Sequence, residues 1–400
     1  MDLIQHPLRP YIKVLFTFAL VLFVFTVVVG ILNGADLVSF DQKTLLTHVH
    51  VGTLGWITMS VFASSLWLFG RNGVTGLRKG LVPVLSFVGA IAIAGYSIAF
   101  LLTTGIARPI LGTITVLAIL GFFVWTCIQV PTVRPLAVPH VGYLAALATS
   151  VTGGVLGVLL AVMIATGRHV LPEGGQGAHP GTMVIGFLVP VGMATIEWWL
   201  APDRATAPAT RGGWWQIGLP FAGGVAIMLG LLLAFPPLIF LSLPFEVAGI
   251  VILAKRMWPH LRALNWTEPT PGRFAAAGVI FLALDIAYIV GLVIAYEGNF
   301  DDTPPRLLLA LDHLMFVGVL TNALFGLLCG ATASRRGAQW ADEVVFWALQ
   351  VGLVLFVAGL LADSAMPKRM GTPILGLGII FGIGTYLYRL LAPGERSVTA

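Results

Sequence analysis

Apolar residues run along the chain in stretches of about twenty, broken by short segments rich in charge, Pro or Gly. Twelve stretches are distinguished, at about 11–32, 48–69, 80–103, 109–130, 140–166, 179–200, 213–234, 236–254, 274–296, 307–332, 343–362 and 371–391. A bilayer core of about 30 Å takes around 20 residues of α-helix to cross, so each stretch predicts one membrane span. The least sharply marked boundary is the Pro236–Pro237 turn between the seventh and eighth. The first stretch is too long for a signal-peptide core and lacks a small-residue cleavage site, so it is read as a span. The expected fold class is all-α: a polytopic membrane protein of twelve helices in three pseudo-symmetric groups of four, with repeat-like units at about 11–130, 140–254 and 274–391 in one transmembrane domain.

Composition agrees with that pattern. Of the 400 residues, 58% are hydrophobic and 10% charged, against roughly 45–50% and 25% in soluble domains. The two cysteines, Cys127 and Cys329, fall inside spans, which leaves neither a disulfide framework nor a CxxCH haem attachment. A net charge of +5 could point to an anionic partner, but in a membrane protein basic residues first report topology rather than nucleic-acid binding. With the N-terminus placed inside, sixteen of the 22 lysines and arginines fall in inner segments, among them Arg335, Arg336 and Arg396, and six in outer loops. This asymmetry predicts both termini on the cytoplasmic side of an inner membrane, with the second span starting outside. Trp198, Trp199, Trp214, Trp215 and Trp258 cluster where spans 6, 7 and 8 meet the inner surface, as interfacial aromatics do.

Eight histidines give the chain its candidate chemistry. His6, His169 and His260 fall in loops, and His140 opens span 5 at the inner surface, where interfacial roles suffice. The other four are patterned: His48 and His50 open span 2, His179 opens span 6 and His313 opens span 10, the second helix of each group of four. HVGTLGWIT from His50 and HLMFVGVLT from His313 both place Gly five residues on and Thr eight on, at Gly55, Gly318, Thr58 and Thr321. His179, in HPGTMVIGF, shares the HxGT opening with His50. Neutral imidazole is the commonest metal ligand and a usual axial ligand of haem iron, and ionisable residues inside membrane helices tend to mark function. Residues two apart on a helix point about 200° from each other, so His48 and His50 face opposite sides of span 2.

Twelve spans in three arcs, both termini inside, and histidines at the outer ends of spans 2 and 10 resemble subunit I of the haem-copper oxidases and the related nitric oxide reductases. HVHVGTLGW is especially similar to the H-x-H-x-x-x-x-GW segment of stand-alone cbb-type subunit-I-like proteins. The resemblance implies a low-spin haem b held between His50, or His48, and His313. It also implies quinol or cytochrome c as electron donor and a diatomic gas as ligand or substrate, in nitric oxide reductase-like or terminal oxidase-like chemistry. The chain departs from the family at its copper site: residues 213–256 contain no histidine or tyrosine, and span 10 has one histidine, so a three-imidazole copper centre cannot be assembled. Two sites are therefore expected, a haem b between His50 and His313, and a second haem or metal involving His48 and His179.

Glu246 and Asp285 fall near the middle of spans 8 and 9, where a charge costs at least about 2.5–3.5 kcal/mol. A proton path is one reading, and a carboxyl hydrogen-bonded between helices, with Tyr288 as a partner for Asp285, is the other. Asp312 could accept from an imidazole N–H or cap span 10. Glu197, beside two tryptophans, reads as a surface residue. Two competing functions use the same hydropathy: a twelve-helix secondary transporter, toward which the loop FGRNGVTGLRKG has a loose likeness, and an accessory subunit of a respiratory complex without a cofactor of its own. The fourfold spacing of the histidines argues against the six-helix repeat of such a transporter.

Overall fold

The computed structural model describes residues 3–333 and 339–392. Arg335, Arg336 and Arg396 of the charge count lie outside them. The described residues form helices and turns with no strand, and twelve helices are long and apolar enough to span a membrane: α1 (Arg9–Gly34), α2 (Gln42–Phe69), α3 (Gly76–Leu102), α4 (Ala107–Thr132), α5 (Val138–Thr166), α6 (Gly175–Leu200), α7 (Arg211–Leu232), α8 (Pro236–Ala263), α9 (Pro271–Ala295), α10 (Pro305–Ala331), α11 (Gln339–Leu361) and α12 (Ala365–Leu391). The protein is an all-α polytopic membrane protein. The face at which α1 ends and α2 begins is called the histidine face below.

Helix starts run earlier than the apolar pattern suggests. Helix α2 opens at Gln42, where the Asp41 side chain accepts from the Thr44 amide at 2.8 Å. Helices α6 and α10 open at Gly175 and Pro305. A polar first turn adds little hydropathy but satisfies the free amides of a helix start. The four patterned histidines therefore lie one to two turns inside their helices rather than at the first residue. At Pro236 the boundary is sharp, because Ala234 turns the chain with φ 49° and Pro236 supplies the first helical position of α8.

Helices α2, α6 and α10 form the interior. In each, 78–83% of the most apolar stretch is buried, against 28–50% in the other nine. All three widen into π-helix immediately after the histidine turn, over Val51–Thr58, Thr182–Leu188 and Leu314–Thr321. The wider turn shifts backbone partners by one residue, and the recurring threonines fit it: Thr58 donates to the Thr53 carbonyl and Thr321 to the Phe316 carbonyl, both at 2.9 Å and five residues back. Trp56 of α2 donates to Thr321 Oγ1 of α10 at 3.3 Å, tying two of the widened segments together. The tryptophan cluster divides: Trp214, Trp215 and Trp258 are exposed as expected at an interface, whereas Trp198 is buried against Trp67.

Candidate functional site: two histidine pairs

Each of the four histidines places Nδ1 at 2.8 Å from a backbone carbonyl. The partners are Thr26 for His48, Leu46 for His50, Gly153 for His179 and Leu309 for His313. A carbonyl oxygen only accepts, so Nδ1 carries the proton and the lone pair of the neutral ring lies on Nε2. This is how a ligating imidazole is oriented, with one nitrogen engaged by the protein and the other left to the ligand.

The rings meet in a different pairing from the one expected. The His50 and His179 ring centres are 6.3 Å apart with planes 16° from parallel. Two imidazoles on opposite sides of one ion, with about 2.0 Å per metal–nitrogen bond and roughly 1.1 Å from nitrogen to ring centre, have centres about 6 Å apart. Phe100 and Tyr96 of α3 pack on His50, with ring centres at 4.1 and 6.4 Å. His48 and His313 instead share a cavity of about 670 Å³ walled by Phe23, Trp56, Phe316 and Phe356. That volume is within the roughly 300–1,000 Å³ of small-molecule and cofactor sites. Opposite projection from α2 holds, but His50 turns toward α6 and His48 toward α10, so the pairs are His50–His179 and His48–His313.

The reason lies in where the preceding helix crosses. A Cβ at Gly55 would come within 3.0 Å of Leu22 on α1, one at Gly186 within 2.8 Å of Thr149 on α5, and one at Gly318 within 2.7 Å of Phe281 on α9. Four residues beyond Leu22 and Thr149 lie Thr26 and Gly153, whose carbonyls take His48 and His179. Four further on, glycines make room for the rings: a Cβ at Gly30 would stand 3.2 Å from His48, and one at Gly157 would stand 2.9 Å from His179. His179 thus matches His48, not His50, and the position matching His50 on α6 is Gly181. On the third crossing Leu311 stands where His48 and His179 stand, and α9 carries Asp285 and Ile289 instead of a receiving carbonyl position and a glycine. With no imidazole to admit, no gap is needed.

The histidine face of the His48–His313 cavity is charged. Asp36, Arg306 and Lys368 line its mouth, and Asp36 pairs with Lys368 at 2.6 Å and Arg369 at 2.9 Å. Hydrogen bonds from Lys368 and then Arg369 hold the Asp36 carboxyl below its ordinary value. Asp312 also lines this cavity, and the imidazole hydrogen bond of its neighbour His313 goes to Leu309, not to Asp312.

Other polar residues depart from their expected places. Glu197 is fully buried: Arg256 holds both carboxylate oxygens, at 2.6 and 2.7 Å, and Gln216 donates at 3.0 Å. Arg256 is 59 residues away in sequence, and proximity to tryptophans alone suggested the surface. His6 is buried as well, with Nε2 donating to the Trp67 carbonyl at 3.0 Å and Nδ1 accepting from the Leu8 amide, and burial lowers its pKa to about 4. His140 is buried and caps α5, accepting from the Ala137 amide at 3.3 Å. Tyr288 donates to the Leu307 carbonyl and not to Asp285, whose Oδ1 has no hydrogen-bond partner among the described residues. Glu246 and Asp285 are both buried, on adjacent helices beside the third crossing.

Two imidazoles are too few for a bare structural or catalytic ion, which takes three or four protein ligands. Among the described residues no group of three or more His, Cys, Asp or Glu could hold a metal ion. Two would suffice for a haem, whose macrocycle supplies four nitrogens of its own. Compared with known proteins, the chain matches no family model and no curated protein.

Proposed function

We propose that the protein is a di-haem electron carrier of the membrane, holding one haem b between His50 and His179 and a second between His48 and His313. The observation that carries this is the pairing itself: four imidazoles, each with Nδ1 engaged by a carbonyl, arranged two by two on either side of α2. Held by two imidazoles, each haem would supply one-electron transfer rather than the binding of oxygen or nitric oxide. The chain's own part is to fix both ring tautomers, exclude water with apolar walls and keep the two sites on one helix. Helix α2 then links the sites through two residues. A quinol or a cytochrome c would supply the electrons, and the likeness to haem-copper oxidase subunit I belongs to this same proposal, as does cytoplasmic orientation of the termini. Glu246 and Asp285, at the crossing without histidines, would serve the accompanying proton.

A pyridine haemochrome assay with reduced-minus-oxidised spectra, with and without carbon monoxide, tests this reading. Two haems b per chain and spectra insensitive to carbon monoxide are expected. A carbon monoxide shift would mean an open iron and restore gas chemistry, and absence of haem would overturn the proposal in favour of a twelve-helix transporter.

A further inference from the structure

Arg108, in the first turn of α4 at the histidine face, is the clearest polar group that the pairing leaves unused. It is 4% exposed. Two other arginines are as deeply buried, and each has a carboxylate: Arg273 pairs with Glu343 at 3.0 Å and Arg389 with Asp342 at 2.8 Å. Arg108 has no carboxylate within ion-pair distance among the described residues. Its Nη2 and Nε donate to the Phe100 and Thr103 carbonyls at 2.8 and 3.0 Å, and Nη1 has no partner among the described residues. The guanidinium lies 3.8 Å above the Phe100 ring, which in turn stacks at 4.1 Å on His50.

A charge without a counter-ion is costly inside a membrane protein, and here two further circumstances oppose it. The residue sits at the positive end of a helix dipole, where a cation is disfavoured. Its two hydrogen-bond acceptors are the carbonyls that close α3, the negative end of that helix's dipole, which favours a cation but supplies no full counter-charge. It is also one aromatic ring away from a ligating imidazole. A guanidinium fork with one nitrogen left unpaired is suited to a carboxylate.

We propose that Arg108 binds a carboxylate of the group held between His50 and His179, which on the haem reading above is a propionate. Arg108 would be a positioning residue: the ion pair would hold the carboxylate-bearing edge of the group at the histidine face and so select one orientation of binding. The positive charge of Arg108 would also raise the potential of this site. The corresponding stretch that opens α8, Pro236–Pro237, carries no basic residue, and it flanks the crossing without histidines.

The test compares wild type, Arg108→Gln and Arg108→Lys, each stripped of haem and reconstituted with haem or with haem dimethyl ester. The expected result is that Arg108→Gln weakens haem binding at the His50–His179 site by at least about thirtyfold and lowers its midpoint potential. Arg108→Lys recovers part of both. Esterification penalises wild type and leaves Arg108→Gln no worse. Retention of the His48–His313 haem shows in each case that the variant is folded. Equal penalties from esterification in wild type and Arg108→Gln, or a variant with wild-type occupancy and potential, would overturn the proposal while leaving the di-haem reading intact. Wild type without haem would overturn both.

Discussion

At the scale of single residues, glycine and glutamate carry the sharpest consequences. Gly157 faces the His179 ring so closely that a methyl group would stand 2.9 Å from Cε1, and the Gly153 carbonyl one turn earlier on α5 pins the ring there through Nδ1. Gly157→Ala is therefore expected to displace His179 and remove one haem, measured as a halved haem-to-protein ratio with the other site unchanged. Glu197 tests the opposite face of the membrane. Glu197→Ala leaves Arg256 without its carboxylate, and losing one partner of a buried pair costs about 3–5 kcal/mol. A large fall in thermal stability in detergent, with haem content per folded chain unchanged, is the expected outcome. Neither residue was legible as important from local sequence. The signal for Gly157 was available in the repeat Thr26–Gly30 and Gly153–Gly157, four residues apart on α1 and α5, but it has meaning only once those helices are known to cross the histidine turns.

At the scale of elements, hydropathy located all twelve helices, and it missed their polar first turns. The π-helical segments were foreshadowed by Thr58 and Thr321, whose spacing from His50 and His313 was visible, although its reason was not: each hydroxyl serves the carbonyl five residues back. Thr321 also accepts from Trp56. Thr321→Val is thus expected to destabilise the protein by about 1–3 kcal/mol, because buried polar groups lose their partner. Thr58→Val removes one such bond and should cost less, with both compared by thermal unfolding. His6 joins the segment before α1 to the end of α2. Its folded-state pKa, about 4, lies below the ordinary value of about 6.5, so its contribution is fully present above about pH 6.5 and is lost as the pH falls toward and through 4. Wild type should lose thermal stability on acidification across that window, and His6→Gln should show a flatter profile.

At the scale of the whole molecule, α2, α6 and α10 bring four histidines together as two pairs. The angle between His48 and His50 could be read from helix geometry, and it correctly put them on opposite sides of α2. Which neighbour lay on each side could not, since strings such as HxGT align His179 with His50 whereas the crossings of α1 and α5 align it with His48. The same crossings explain why the third contact carries Leu311 and Asp285 in place of an imidazole and its carbonyl. Haem content in single and paired variants measures the central claim directly. The account predicts that His50→Ala and His179→Ala each remove the same haem and together remove no more, and that His48→Ala and His313→Ala do so for the other. Loss of one common haem in His50→Ala and His313→Ala, with the other retained in both, would contradict it.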